Sequence, residues 1–73
     1  MTTREASLSV GIMPWTLYKH LQDGTLPGEK LGGRWEISSA ALMAWAWKCW
    51  ETNAYTMLPP DRAAAFIQEY KLN

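Results

Sequence analysis

One cysteine and one histidine leave little of the chemistry on which small domains often rely. Cys49 has no second thiol, so no disulfide framework can staple the chain. Together with His20 it falls well short of the four ligands of a structural zinc site. No apolar run approaches the roughly 20 residues of a membrane-spanning helix, and no basic-then-apolar opening marks an export signal. The chain also has no paired-carboxylate arrangement, no Ser–His–acid set with supporting context and no phosphate-cradling glycine loop ahead of a helix. These absences predict a non-catalytic, cofactor-free and metal-free protein in a reducing, cytoplasmic setting, away from membranes.

An excess of one charge is missing as well. Seven Lys and Arg stand against seven Asp and Glu, giving a formal net charge of zero. The balance holds locally: over residues 1–37, Arg4, Lys19, Lys30 and Arg34 face Glu5, Asp23, Glu29 and Glu36. Nucleic-acid binders usually carry a basic surplus, because neutralising phosphates supplies most non-specific affinity. Any DNA binding by this chain must therefore depend on where a few cations are placed, or on help from a second molecule.

What is present is apolar material and punctuation. At 73 residues and 48% hydrophobic, the chain has room for one domain with one small core. Thr2 followed three residues later by Glu5 is a capping-box pattern, predicting a helix over about residues 3–10 with Ala6 and Val10 inward. Gly11 ends it, and Ile12-Met13 forms the turn. Pro14 suits the first turn of a second helix, where its missing N–H is not needed, and Gly24 suits its left-handed stop. Helical spacing puts Met13, Leu17, His20 and Leu21 on one side of that helix. Trp15, Lys19 and Gln22 fall on the other, with Thr16 and Tyr18 on the flanks.

Thr25 to Gly28 reads as a connector. Glu29-Lys30-Leu31 and Trp35-Glu36-Ile37 read as two short strands joined through Gly32-Gly33, with Arg34 at the tip. Leu31, Trp35 and Ile37 are the natural inward residues. Ser38 or Ser39 caps a third helix to about Glu51. One of its apolar stripes is Leu42, Trp45, Ala46 and Cys49; the other is Met43, Trp47 and Trp50. Residues 1–51 thus form the main unit, and residues 52–73 a linker and a last helix starting at Pro60 or Asp61. Ala63, Phe66, Ile67 and Tyr70 make that helix's stripe, the expected mate of Met43, Trp47 and Trp50 within one chain or between two. Three of the five tryptophans lie within six residues, which keeps a dimer or partner surface open as a second use of Met43, Trp47, Trp50, Phe66 and Tyr70.

Helix, stop, helix, glycine-turned hairpin, helix is the order of a winged helix-turn-helix. Residues 2–46 resemble the excisionase-type, MerR-like winged helix-turn-helix domains of phage and plasmid regulators. The matching features are Thr2, Glu5-Ala6, Gly11-Ile12, Thr16-Leu17-Tyr18-Lys19, Leu21 and Gly24-Thr25-Leu26-Pro27. The series continues with Gly32-Gly33-Arg34-Trp35-Glu36-Ile37, Leu42 and Trp45. Met13 and Pro14 depart from the small polar and basic residues usual there, as does the missing basic residue near Gln22-Asp23. The resemblance implies a mostly α fold with a two-stranded wing and an extra C-terminal helix. It also implies a double-stranded-DNA-binding protein, either an excision directionality factor or a transcriptional regulator. The second helix would lie in the major groove and the wing on the backbone or in the minor groove.

On that reading Thr16 and Lys19 reach base edges or phosphates, Gln22 pairs with adenine, and Trp15 packs on sugar or a thymine methyl. Tyr18 gives its hydroxyl to a phosphate. Arg34 enters a narrow minor groove or meets a phosphate, helped by Lys30 across the hairpin and by close backbone approach at Gly33. An integrase or another phage protein is the implied partner, or further copies bound cooperatively on DNA. Two rival uses of the same fold stay open. One is a terminase or replication adaptor. The other is a protein-binding adaptor or inhibitor that gave up DNA, which neutral charge favours.

Overall fold

The computed structural model describes residues 1–72. Four helices and one two-stranded antiparallel hairpin make up the fold, in the order α1 (Thr3–Val10), α2 (Pro14–Asp23), β1 (Glu29–Leu31), β2 (Arg34–Glu36), α3 (Ser39–Thr52) and α4 (Pro60–Glu69). This order is compatible with a helix-turn-helix plus wing. Among the described residues, no helix is long and apolar enough to cross a membrane.

Local rules place the helix ends. The Thr2 hydroxyl accepts from the Glu5 N–H, and the Glu5 carboxylate accepts from the Thr2 N–H at 2.8 Å, closing the capping box. Gly11 ends α1 and Gly24 ends α2, both left-handed, at φ 70° and 83°. Ser38 caps α3 by accepting from the Ala41 N–H. Ser9 is fully buried in α1, and its hydroxyl donates back to the Glu5 carbonyl at 2.8 Å. That bond satisfies a polar group that would otherwise be costly in the interior.

The hairpin differs from the sequence reading by one residue. Leu31 pairs with Arg34, Lys30 with Trp35 and Glu29 with Glu36. Only Gly32 and Gly33 form the loop, both at positive φ, as a tight two-residue turn requires. Arg34 is therefore the first residue of β2 rather than the tip, and Ile37 lies beyond the strand. Alternation then turns Leu31 outward, where it is exposed, while Trp35 is half-buried and Ile37 fully buried. A hairpin this short is held from outside. The Met1 ammonium donates to the Ile37 carbonyl and to Glu36 Oε1, and the Ile37 N–H donates to the Met1 carbonyl at 2.8 Å.

One core joins all the helices. Leu17 and Leu21 from α2, Leu42, Trp45 and Ala46 from α3, and Ala63 and Ile67 from α4 belong to a single buried cluster with Ala6, Val10 and Ile37. Met13 does not join it. It stands just before α2, outside the helical periodicity, and is exposed. Cys49 is buried in the cluster, and burial pushes its thiol pKa up.

α4 packs against α1 as well as α3, a contact the sequence reading did not foresee. The linker is fastened on the way: the Leu58 N–H donates to the Val10 carbonyl at 2.9 Å. Consequently the stripe on α4 is only partly matched to the α3 tryptophans. Ala63 and Ile67 are buried and Phe66 half-buried, but Tyr70 is exposed and stacks on Phe66 with ring centroids 4.6 Å apart. Met43 packs on the core, whereas Trp47 and Trp50 each keep 43% of their surface. No ring pair joins those tryptophans to Phe66 or Tyr70 among the described residues.

Candidate nucleic-acid interface

α2 is fixed from its inner side. Leu17 and Leu21 are buried, and His20 is half-buried next to them. His20 Nε2 is hydrogen-bonded to the Tyr55 hydroxyl in the α3–α4 linker, and its ring lies 5.3 Å from that of Trp45. The linker and α3 thus hold α2 from behind, and the opposite face is left to solvent. Trp15, Lys19 and Gln22 are all exposed there, with Thr16 and Tyr18 half-buried on the flanks, as the spacing predicts.

The first half of α2 and the hairpin bound a common cleft of about 480 Å³. Pro14, Trp15 and Tyr18 form one wall, and Gly33, Arg34 and Trp35 the other. Thr2, Thr3 and Arg4 close one end. Of the residues singled out from sequence, Trp15, Tyr18, Gly33 and Arg34 are brought together in this way. Thr16, Lys19, Gln22 and Lys30 do not line the cleft. Lys30 instead sets its ammonium 5.9 Å from the centroid of Trp35, its partner across the hairpin. Arg4, Thr2, Thr3, Pro14 and Trp35 have no binding role in the sequence reading. A cation in the first turn of a helix that caps itself was the available sign for Arg4, but its nearness to Arg34 is a long-range fact.

Charge is distributed unevenly around the hairpin. Two arginines line the cleft and no carboxylate does. Arg4, Lys19 and Arg34 are exposed, and among the described residues none is in an ion pair. The acidic groups of this half of the chain are mostly engaged elsewhere. Glu5 is in the capping box and Glu36 holds the Met1 ammonium. Asp23 accepts from the hydroxyl and the backbone N–H of Thr25, and those bonds hold its carboxyl below the usual carboxylate range. A second cavity, of about 610 Å³, lies at the base of the hairpin and contains Glu29 and Glu36 with no Lys or Arg. A chain with zero net charge thus has a basic cleft at the turn end of its hairpin and acidic groups at the other.

The cleft holds no pairing of nucleophile and base and no set of metal donors. Among the described residues, no group of three His, Cys, Asp or Glu is placed to hold a metal ion. What the arrangement offers is hydrogen-bond donors, cations and aromatic surface on a rigid support. Comparison with family models, curated proteins and solved structures returns no match to this chain.

Proposed function

We propose that this chain is a non-catalytic double-stranded-DNA-binding protein of the winged helix-turn-helix type, acting in phage or plasmid excision or in transcriptional control. α2 enters the major groove, and the hairpin meets the backbone or the minor groove. The observation that supports this best is the shared cleft: Trp15 and Tyr18 from α2, Gly33 and Arg34 from the hairpin, and Arg4, with no carboxylate in the lining. Segregation of charge along the hairpin supports the reading despite the zero net charge. Few cations still mean modest affinity alone, so the reading includes assistance from an integrase, another phage protein or further copies on the DNA.

The test is affinity for duplex DNA against salt concentration. Four cations, Arg4, Lys19, Lys30 and Arg34, set an upper limit of about −3.6 on the log–log slope, at about 0.9 per phosphate neutralised. Lys19→Ala and Arg34→Ala each weaken binding and flatten the slope by about 0.9. Both side chains are exposed, so the fold is retained. No binding at low salt, or unchanged binding by both variants, refutes the reading. The protein-adaptor alternative draws on Trp47 and Trp50, whose partly exposed rings are available to a protein partner. It gains only if duplex binding is absent.

A further inference from the structure

We propose that the cleft between α2 and the hairpin takes a single unpaired base of DNA, stacked on its aromatic walls, with the neighbouring phosphates on Arg4 and Arg34. This rests on the DNA-binding reading and specifies which feature of the DNA the site holds.

The first support is the rings. Trp15, Tyr18 and Trp35 all line the cleft, yet no two of them form a ring pair among the described residues. Tyr18 and Trp35 are partly packed on the core and Lys30 lies over the Trp35 ring, whereas Trp15 keeps 67% of its surface and is the ring most open to a base. The exposed indole adjoins Met13, which is also exposed, so large apolar groups are available together at the start of α2. Shape is the second support. Pro14 and Trp15 in the first turn of α2, with Tyr18 on its flank, form one side of an open cleft, next to the Lys19 and Gln22 face that the major-groove reading uses. The cleft, at about 480 Å³, falls within the roughly 300–1,000 Å³ typical of sites for small organic ligands, the size class of one nucleotide. Charge is the third. Arg4 and Arg34, neither in an ion pair among the described residues, line the cleft with no carboxylate in the lining, which suits the phosphates next to an inserted base. Zero net charge limits what counterion release contributes. Stacking does not draw on that source, and it adds roughly five- to 150-fold in affinity per base.

The experiment compares three labelled duplexes of one sequence at one salt concentration: fully paired, carrying one extrahelical thymine, and carrying an abasic residue at the same bulge. The abasic duplex has the same number of phosphates without a ring to stack. Full-length protein is expected to bind the thymine bulge about tenfold more tightly than the abasic bulge, with quenching of tryptophan fluorescence. Trp15→Ala brings that ratio to about one, and Trp15→Phe keeps most of it. Melting of each variant verifies that the fold is intact. Equal affinity for the two bulges overturns the unpaired-base proposal while leaving duplex binding in place. Binding to none of the three overturns the DNA reading itself.

Discussion

Gly28 sets how closely the hairpin approaches α2, and replacing it with alanine measures that approach. Its φ is not positive, so an L-residue can adopt the backbone there. The obstacle is space. An added Cβ would stand 2.7 Å from Leu21 Cδ2, 3.2 Å from the Glu36 carbonyl oxygen and 3.6 Å from Ile37 Cγ1. Leu21 is buried and Ile37 fully so, which leaves little room for either to yield. Overpacking of this kind costs about 1–3 kcal/mol, and loss of glycine's freedom in the unfolded chain offsets about 0.4–1 kcal/mol of it. The net expectation is a loss of about 1–2 kcal/mol, a large part of the roughly 4–11 kcal/mol expected at this length. At about 4–8 °C per kcal/mol, the midpoint of thermal unfolding falls by about 5–15 °C. Gly33→Ala is the companion measurement, because nothing lies within 4 Å of its Cβ position and only its φ of +81° opposes the change. It should cost about 1–2 kcal/mol. The two are told apart by adding Leu21→Val, which removes the Cδ2 atom. Gly28→Ala and Leu21→Val should then couple by about 0.5 kcal/mol or more, while Gly33→Ala and Leu21→Val should be additive. A Gly28→Ala protein as stable as the parent, or additive with Leu21→Val, refutes the steric argument.

Other expectations are simpler to check. Ser38→Ala removes the α3 cap and should cost about 1 kcal/mol by urea unfolding. Tyr55→Phe takes away the one hydrogen-bond partner that the His20 ring has among the described residues, its Nδ1 being buried without one, and should cost about 1–3 kcal/mol. Burial raises the Cys49 pKa, so alkylation of the folded protein at mildly alkaline pH should lag far behind that of the urea-unfolded chain. The same shift has a stability consequence: above the ordinary thiol pKa the unfolded state releases the proton more readily, so stability declines as pH rises. Thr25→Val should bring the Asp23 carboxyl back up toward its ordinary range in a carbon-detected NMR titration.

Where the physics is local, the sequence is a good guide. Thr2 and Glu5 lie one helical turn apart and need only each other to cap α1. Gly11 and Gly24 stop their helices because left-handed backbone favours glycine. The outward row Trp15, Lys19 and Gln22 follows from helical spacing alone. Errors arise where a count of one residue matters. A two-residue turn needs a directly opposed pair on its flanks, which draws Arg34 into β2 and sends Leu31 outward. Helical spacing assigns Met13 an inward position, but the helix begins only at Pro14. Packing between distant segments was least legible. Neither the seating of α4 on α1 nor the arrival of Arg4 beside the hairpin has a signature in spacing. The cleft was foreseen as a neighbourhood of helix and hairpin, but not as a hollow with Trp35 in its wall.

The bond between His20 and Tyr55 makes the last third of the chain answerable for the aim of α2. A shortened version ending at α3 would strip away the anchor behind the helix whose far side meets the proposed ligand. Such a fragment should bind worse even though every residue of the cleft remains. Random variants in the stretch after Asn53 would then surface in a screen for weakened binding, far along the chain from anything that touches the target.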